Sequence, residues 1–138
     1  MGYDLTSESG ADLRFNGSGW ALLLTLAEAY GWIPKGTLPP EGVQPGDWAG
    51  DYDSNDGARV TSDDAAAMAD AFARALADPT RAEKERQIGR ELNEAWRRIE
   101  IEAFGDNVPV EEETLPTTDD ALLRSLIQFL RAGAFTID

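Results

Sequence analysis

The chain has 138 residues, 42% of them hydrophobic, with a formal net charge of −14 and neither cysteine nor histidine. That length supports one domain with its own core. The two missing residue types exclude disulfides, thiol redox chemistry and every catalytic triad or dyad built on His or Cys, and leave zinc only carboxylates to bind. So anionic a chain repels DNA and RNA, and nucleic acid is not an expected ligand. No run of eighteen apolar residues occurs, so no membrane-spanning helix is expected. The opening MGYDLTSESG has neither the basic nor the apolar region of a signal peptide, and a cytoplasmic location is the default expectation.

The first element expected is a hairpin over Tyr3–Asn16. Tyr3, Leu5, Leu13 and Phe15 alternate with polar residues, and Ser9-Gly10 supplies a turn. SGWALLLTLAEAYG then predicts a helix over Ser18–Tyr30. Its apolar positions Trp20, Leu22, Leu23, Leu24, Leu26, Ala27 and Tyr30 cover most of the circumference, which is the pattern of the most buried element of a core. Glu28 is the one charge in this helix. A carboxylate in such surroundings either lies on the narrow solvent side or is desolvated and able to act as an acid, the basis of a carboxylate-dependent enzyme. Gly31 is placed to end the helix in the left-handed conformation, and Pro34 prevents its resumption.

Residues Ile33–Gly50 read as a loop holding four of the seven prolines. Loops of this length in compact domains are usually ordered covers or functional segments. Trp32 and Trp48 bracket it, which suggests that it is pinned to the body. They are the aromatic residues best placed to line a surface groove for a partner.

The next stretch, GDYDSNDGARVTSDD, gathers Asp51, Asp53, Asn55 and Asp56 before Gly57. Two readings compete. In an EF-hand calcium loop the glycine is sixth and a bidentate acid twelfth. Counting from Asp51, the sixth residue is Asp56 and the twelfth Ser62; counting from Asp53, Gly57 falls fifth and Asp64 twelfth. Neither frame fits, which leaves weak, non-EF calcium binding by Asp51, Asp53, Asn55 and Asp56. The other reading makes Tyr52–Val60 a hairpin around SNDG, followed by a helix capped by Thr61 or Ser62.

A helix over Ser62–Asp78 follows, with a narrow stripe of Ala65, Met68, Ala69, Phe72 and Leu76. Asp78-Pro79 breaks it. Thr80 with Glu83 forms a candidate capping box for a third helix over Arg81–Phe104, on Ile88, Leu92, Trp96, Ile99 and Ala103. That helix carries six basic and six acidic residues, so the rest of the chain holds the whole net charge. Val108–Leu115 is a candidate edge strand. Glu111, Glu112 and Glu113, with Asp106, Asp119 and Asp120, form an acidic run that is either a solvated loop or a docking surface for a basic protein. A last helix is expected over Asp119–Arg131 on Leu122, Leu123, Leu126, Ile127 and Leu130, and AFTID can close as a strand against the first hairpin.

Three blocks, FNGSGWALLLTLAEAYGWIPKGT, YDSNDGARVTSDDA and LLRSLIQFLRAGAFTID, resemble in style and order a group of small acidic bacterial proteins with no assigned function. The resemblance implies an immunity-type or regulatory binder and transfers no site residues. Taken together, the sequence predicts a single α+β domain, with about four helices packed on a small antiparallel sheet. The sheet is expected to contain the first hairpin, the Tyr52–Val60 hairpin and the C-terminal strand. The leading functional expectation is a non-catalytic module binding a basic protein, with no cofactor. A calcium-responsive module and a Glu28-dependent enzyme are the alternatives.

Overall fold

The computed structural model describes residues 2–48, 50–104 and 118–138. Its elements run β1 (Gly2–Ser7), β2 (Asp12–Asn16), α1 (Gly17–Ala29), β3 (Ala58–Val60), α2 (Ser62–Ala77), α3 (Arg81–Phe104), α4 (Asp120–Arg131) and β4 (Phe135–Ile137). Four helices and a four-stranded antiparallel sheet of order β2-β1-β4-β3 make a small α+β domain, the class the sequence predicts.

Strand alternation produces the sheet's inner face. Leu5 pairs with Ile137, which pairs with Ala58, and Ser7 pairs with Phe135, which pairs with Val60. All six are buried, whereas Thr6, Thr136 and Arg59 on the opposite face keep contact with water. Leu13 and Phe15 of β2 extend the apolar face beside Leu5 and Tyr3.

The helices begin at polar caps. Asn16 Oδ1 accepts the Gly19 N–H at 2.7 Å, Thr61 Oγ1 the Asp64 N–H at 3.2 Å, and Asp119 Oδ1 the Leu122 N–H at 2.6 Å. The predicted capping box at Thr80 does not form. The Thr80 hydroxyl instead donates to Asp78 Oδ1 at 2.8 Å, folding the α2–α3 corner into an aspartate-centred turn. α1 ends at Gly31, whose φ is +98°. The Trp32 N–H donates to Ala27 O at 3.0 Å and the Gly31 N–H to Glu28 O at 3.1 Å, the paired bonds of a Schellman motif. That reversal aims Trp32 into the core.

One expectation is corrected. Tyr52–Val60 is not a hairpin: only Ala58–Val60 is strand, and Tyr52 sits in a turn where Ser54 N–H donates to Asp51 O at 3.0 Å. The outer side of β3 is instead met from the proline-rich loop, where Leu38 and Arg59 exchange N–H···O bonds of 2.8 and 2.9 Å. α1, expected to be the most buried element, exposes only Glu28 and Ala29 among its described residues. α2 packs against both α1 and α4 and buries seven residues, Asp64, Ala65, Met68, Ala69, Ala71, Phe72 and Ala75. α1 buries Trp20, Leu22, Leu23, Leu26 and Ala27. The alanines let helices approach α2 closely on two sides, which its narrow apolar stripe does not reveal. The candidate strand Val108–Leu115 lies outside the described residues.

Candidate functional site

The structure concentrates unusual features in the segment from Trp32 to Asp64. At its centre is Asp64, three residues past the cap of α2 and 0% exposed. Both carboxylate oxygens are engaged. Oδ1 accepts the indole N–H of Trp32 at 3.0 Å, and Oδ2 accepts a short hydrogen bond from the Tyr52 hydroxyl. The same hydroxyl accepts the Gly36 N–H at 2.9 Å, and the Tyr52 carbonyl accepts the indole N–H of Trp20 at 2.7 Å. The rings of Trp32 and Tyr52 meet edge to face at 5.0 Å. Burial pushes the Tyr52 hydroxyl pKa above the ordinary phenol value, and its bond to Asp64 and the charge there push it further. With both oxygens held by donors, and with the N-terminal turn of α2 favouring negative charge, Asp64 ties the loop to the core.

Spacing could have disclosed this node. Asp64, Met68 and Phe72 lie four residues apart, so Asp64 belongs to the buried stripe. Local grammar alone makes it only an acid in a helix's first turn.

Further bonds fix the loop. Arg59 Nε–H donates to Pro39 O at 2.6 Å, Thr37 Oγ1–H to Gly50 O at 3.4 Å, and Val43 N–H to Pro40 O at 3.0 Å. Trp48 folds back over Gly50, where a Cβ would stand 2.3 Å from its Cζ2. On this anchored frame Ile33 is 81% exposed, Leu38 45% and Val43 38%. They are the exposed large hydrophobic residues among the described part of the chain.

The residues singled out from sequence fall as follows. Trp32 is 4% exposed and bonded to Asp64, so it is a core residue and offers no surface to a partner. Trp48 is half-buried, and its indole nitrogen is buried with no hydrogen-bond partner among the described residues. Asp51 bonds within its own turn, Asp53 and Asn55 bond to β1, and Asp56 is exposed. Asp51 Oδ1 accepts the Tyr52 N–H at 2.8 Å, Asp53 O accepts the Tyr3 hydroxyl at 2.7 Å, and Asn55 Nδ2–H donates to Gly2 O at 3.4 Å. The four do not assemble as ligands; among the described residues no three acidic side chains gather into a group able to hold a metal ion. Glu28 is exposed on α1, without the desolvation a carboxylate acid would need. Glu111, Glu112 and Glu113 lie outside the described residues.

A second polar cluster, which the sequence did not reveal, joins the end of α1 to α2, α3 and α4. The Tyr30 hydroxyl donates to Asp78 Oδ2 at 2.5 Å, Lys84 Nζ pairs with the same oxygen at 3.0 Å, and Lys84 stands 4.7 Å from the Tyr30 ring centroid. Burial, then the bond to Asp78, pushes the Tyr30 hydroxyl up to about 12. The Tyr30 bond, followed by those from Thr80 and Lys84, holds Asp78 below the usual carboxylate range. Arg81 bridges Glu85 at 3.5 Å and Asp120 at 2.6 Å, and Thr118 donates a short hydrogen bond to Glu85. Burial raises the Glu85 pKa against the opposing charge of Arg81. Each group in this cluster is tied to another element, so its role is to lock helices together.

The chain matches no protein-family model, and no curated protein or solved structure matches it.

Proposed function

We propose that this protein is a non-catalytic binding module whose partner is a basic protein. The observation that carries the reading is the one-sidedness of its charge. From Gly36 to Gly57 the chain holds Glu41, Asp47, Asp51, Asp53 and Asp56 and not one lysine or arginine. All five acids are exposed, and the same segment is bonded to the core through Tyr52, which meets Trp20 and Asp64. An anionic surface held in one geometry speeds encounter with cationic proteins and rejects anionic ones. A neutralising or regulatory role toward a basic protein follows from the same charge logic. Glu28 in solvent gives the enzyme reading no comparable support, and the bonds of Asp51 to Tyr52 and of Asn55 to Gly2 give the calcium reading none.

The test is capture on the immobilised protein at low salt, followed by purification and titration of whatever is retained. A partner of net positive charge is expected, with affinity falling steeply as salt rises. Retention of nothing, or of partners whose affinity ignores salt, overturns the reading.

A further inference from the structure

The exposure of Ile33, Leu38 and Val43 is not a product of slack chain. Pro34, Pro39 and Pro40 restrict the backbone, and the segment between them is fastened at Gly36 to the Tyr52 hydroxyl and at Leu38 to Arg59. Three large aliphatic side chains are thus held exposed on an ordered loop. Exposed apolar residues concentrated in one segment and rimmed by charge mark an interaction surface.

The surroundings select the occupant. The five acids between Gly36 and Gly57 supply the rim and outnumber the loop's one exposed cation, Lys35. Arg59, beside the loop, is half-buried with its Nε spent on the Pro39 carbonyl. A second copy meeting the loop through the same segment would bring five more acids there, and an anionic lipid or nucleic acid would meet the same repulsion. A cationic segment suffers none of this, and its aliphatic side chains can cover the exposed residues. Resting on the reading of the protein as a binder of basic proteins, we infer that the loop over residues 33–43 is its docking surface, and that the occupant is a protein segment interleaving lysine or arginine with aliphatic residues.

The experiment compares two synthetic peptides of equal charge, one alternating lysine with leucine and the other lysine with serine. Each is titrated into the full chain and into the Ile33→Ser, Val43→Ser double variant, with backbone amide shifts followed by NMR. Both substitutions are at exposed positions, and a thermal melt verifies that the variant stays folded. The lysine–leucine peptide is expected to bind the unaltered protein about tenfold tighter, an advantage of order one buried aliphatic group. The double variant should lose that advantage while binding the lysine–serine peptide unchanged, and the shifts should centre on residues 33–43 and 51–57. Equal binding of both peptides to both proteins, or shifts centred elsewhere, overturns the docking surface and leaves the basic-partner reading standing. Failure of both peptides to bind at low salt removes the two together. A concentration-dependent dimer that the double variant abolishes assigns the surface to a second copy and overturns the inference.

Discussion

Asp64 shows how one buried acid can organise a surface it never reaches. Its oxygens hold Trp32 and Tyr52, and Tyr52 in turn holds Gly36, so the exposed loop inherits its geometry from the core. Replacing Asp64 with alanine strands two buried donors, and urea unfolding is expected to show a loss of about 3 kcal/mol. Tyr52→Phe removes one donor and one acceptor while leaving the Trp32 bond, and should cost less, about 1–2 kcal/mol. The reverse order would show that Asp64 is not the centre of the network. Alkaline pH probes the same groups. Tyr3, Tyr30 and Tyr52 all have raised pKa values, led in each case by burial. A raised folded-state pKa means the folded form keeps its proton longer. The stabilisation is therefore whole below the unfolded value of about 10 and is lost as pH climbs above it. For Tyr30 that window closes near 12. Tyrosine absorbance followed against pH should show ionisation delayed above the ordinary phenol range and coincident with unfolding. A normal titration with the fold intact would refute the burial of these hydroxyls.

At the level of elements, most of the fold was legible because its punctuation is local. The predicted bounds of α3, Arg81–Phe104, are those observed, and α2 differs only by its last residue. Thr61 caps and Gly31 terminates as their chemistry dictates. Gly31→Ala should therefore destabilise by about 1–2 kcal/mol through its positive φ, and its new methyl would stand 3.3 Å from Arg74 Nη2. A melting temperature unmoved by that change would show that the Schellman turn does not direct Trp32 inward. The Tyr52–Val60 hairpin failed for a non-local reason. β4 already pairs one side of β3, Leu38 takes the other at Arg59, and Tyr52 is claimed by Asp64. No alternation within a ten-residue window contains that information, and the proline-rich stretch around Leu38 argued locally against any pairing. The candidate site divides the same way. Its charge could be read directly, whereas the exposure of Ile33, Leu38 and Val43 depends on a loop whose course has no period to read.

For the molecule as a whole, self-repulsion at a net charge of −14 opposes compactness. Among the described residues only Asp64 and Glu85 are buried acids, so most of that charge faces water and salt can screen it. Raising ionic strength from a few millimolar to about 0.15 M, where the Debye length is about 8 Å, should raise the melting temperature. A fall would mean that attractive pairs such as Lys84–Asp78 and Arg81–Asp120 outweigh the repulsion. The same screening that stabilises the free protein should weaken its hold on a cationic partner, so folding and binding respond to salt with opposite sign.

The position of β4 has a temporal consequence. Residues 135–137 lie between β1 and β3, and Asp4 and Asp138 exchange backbone bonds of 2.8 Å. During translation β1 is therefore made well before its neighbour β4, with the four described helices in between, and β3 has no neighbouring strand of the sheet until this tripeptide is made. A purified chain lacking residues 135–138 should be protease-sensitive and prone to edge-to-edge association, and restoring those residues should abolish both.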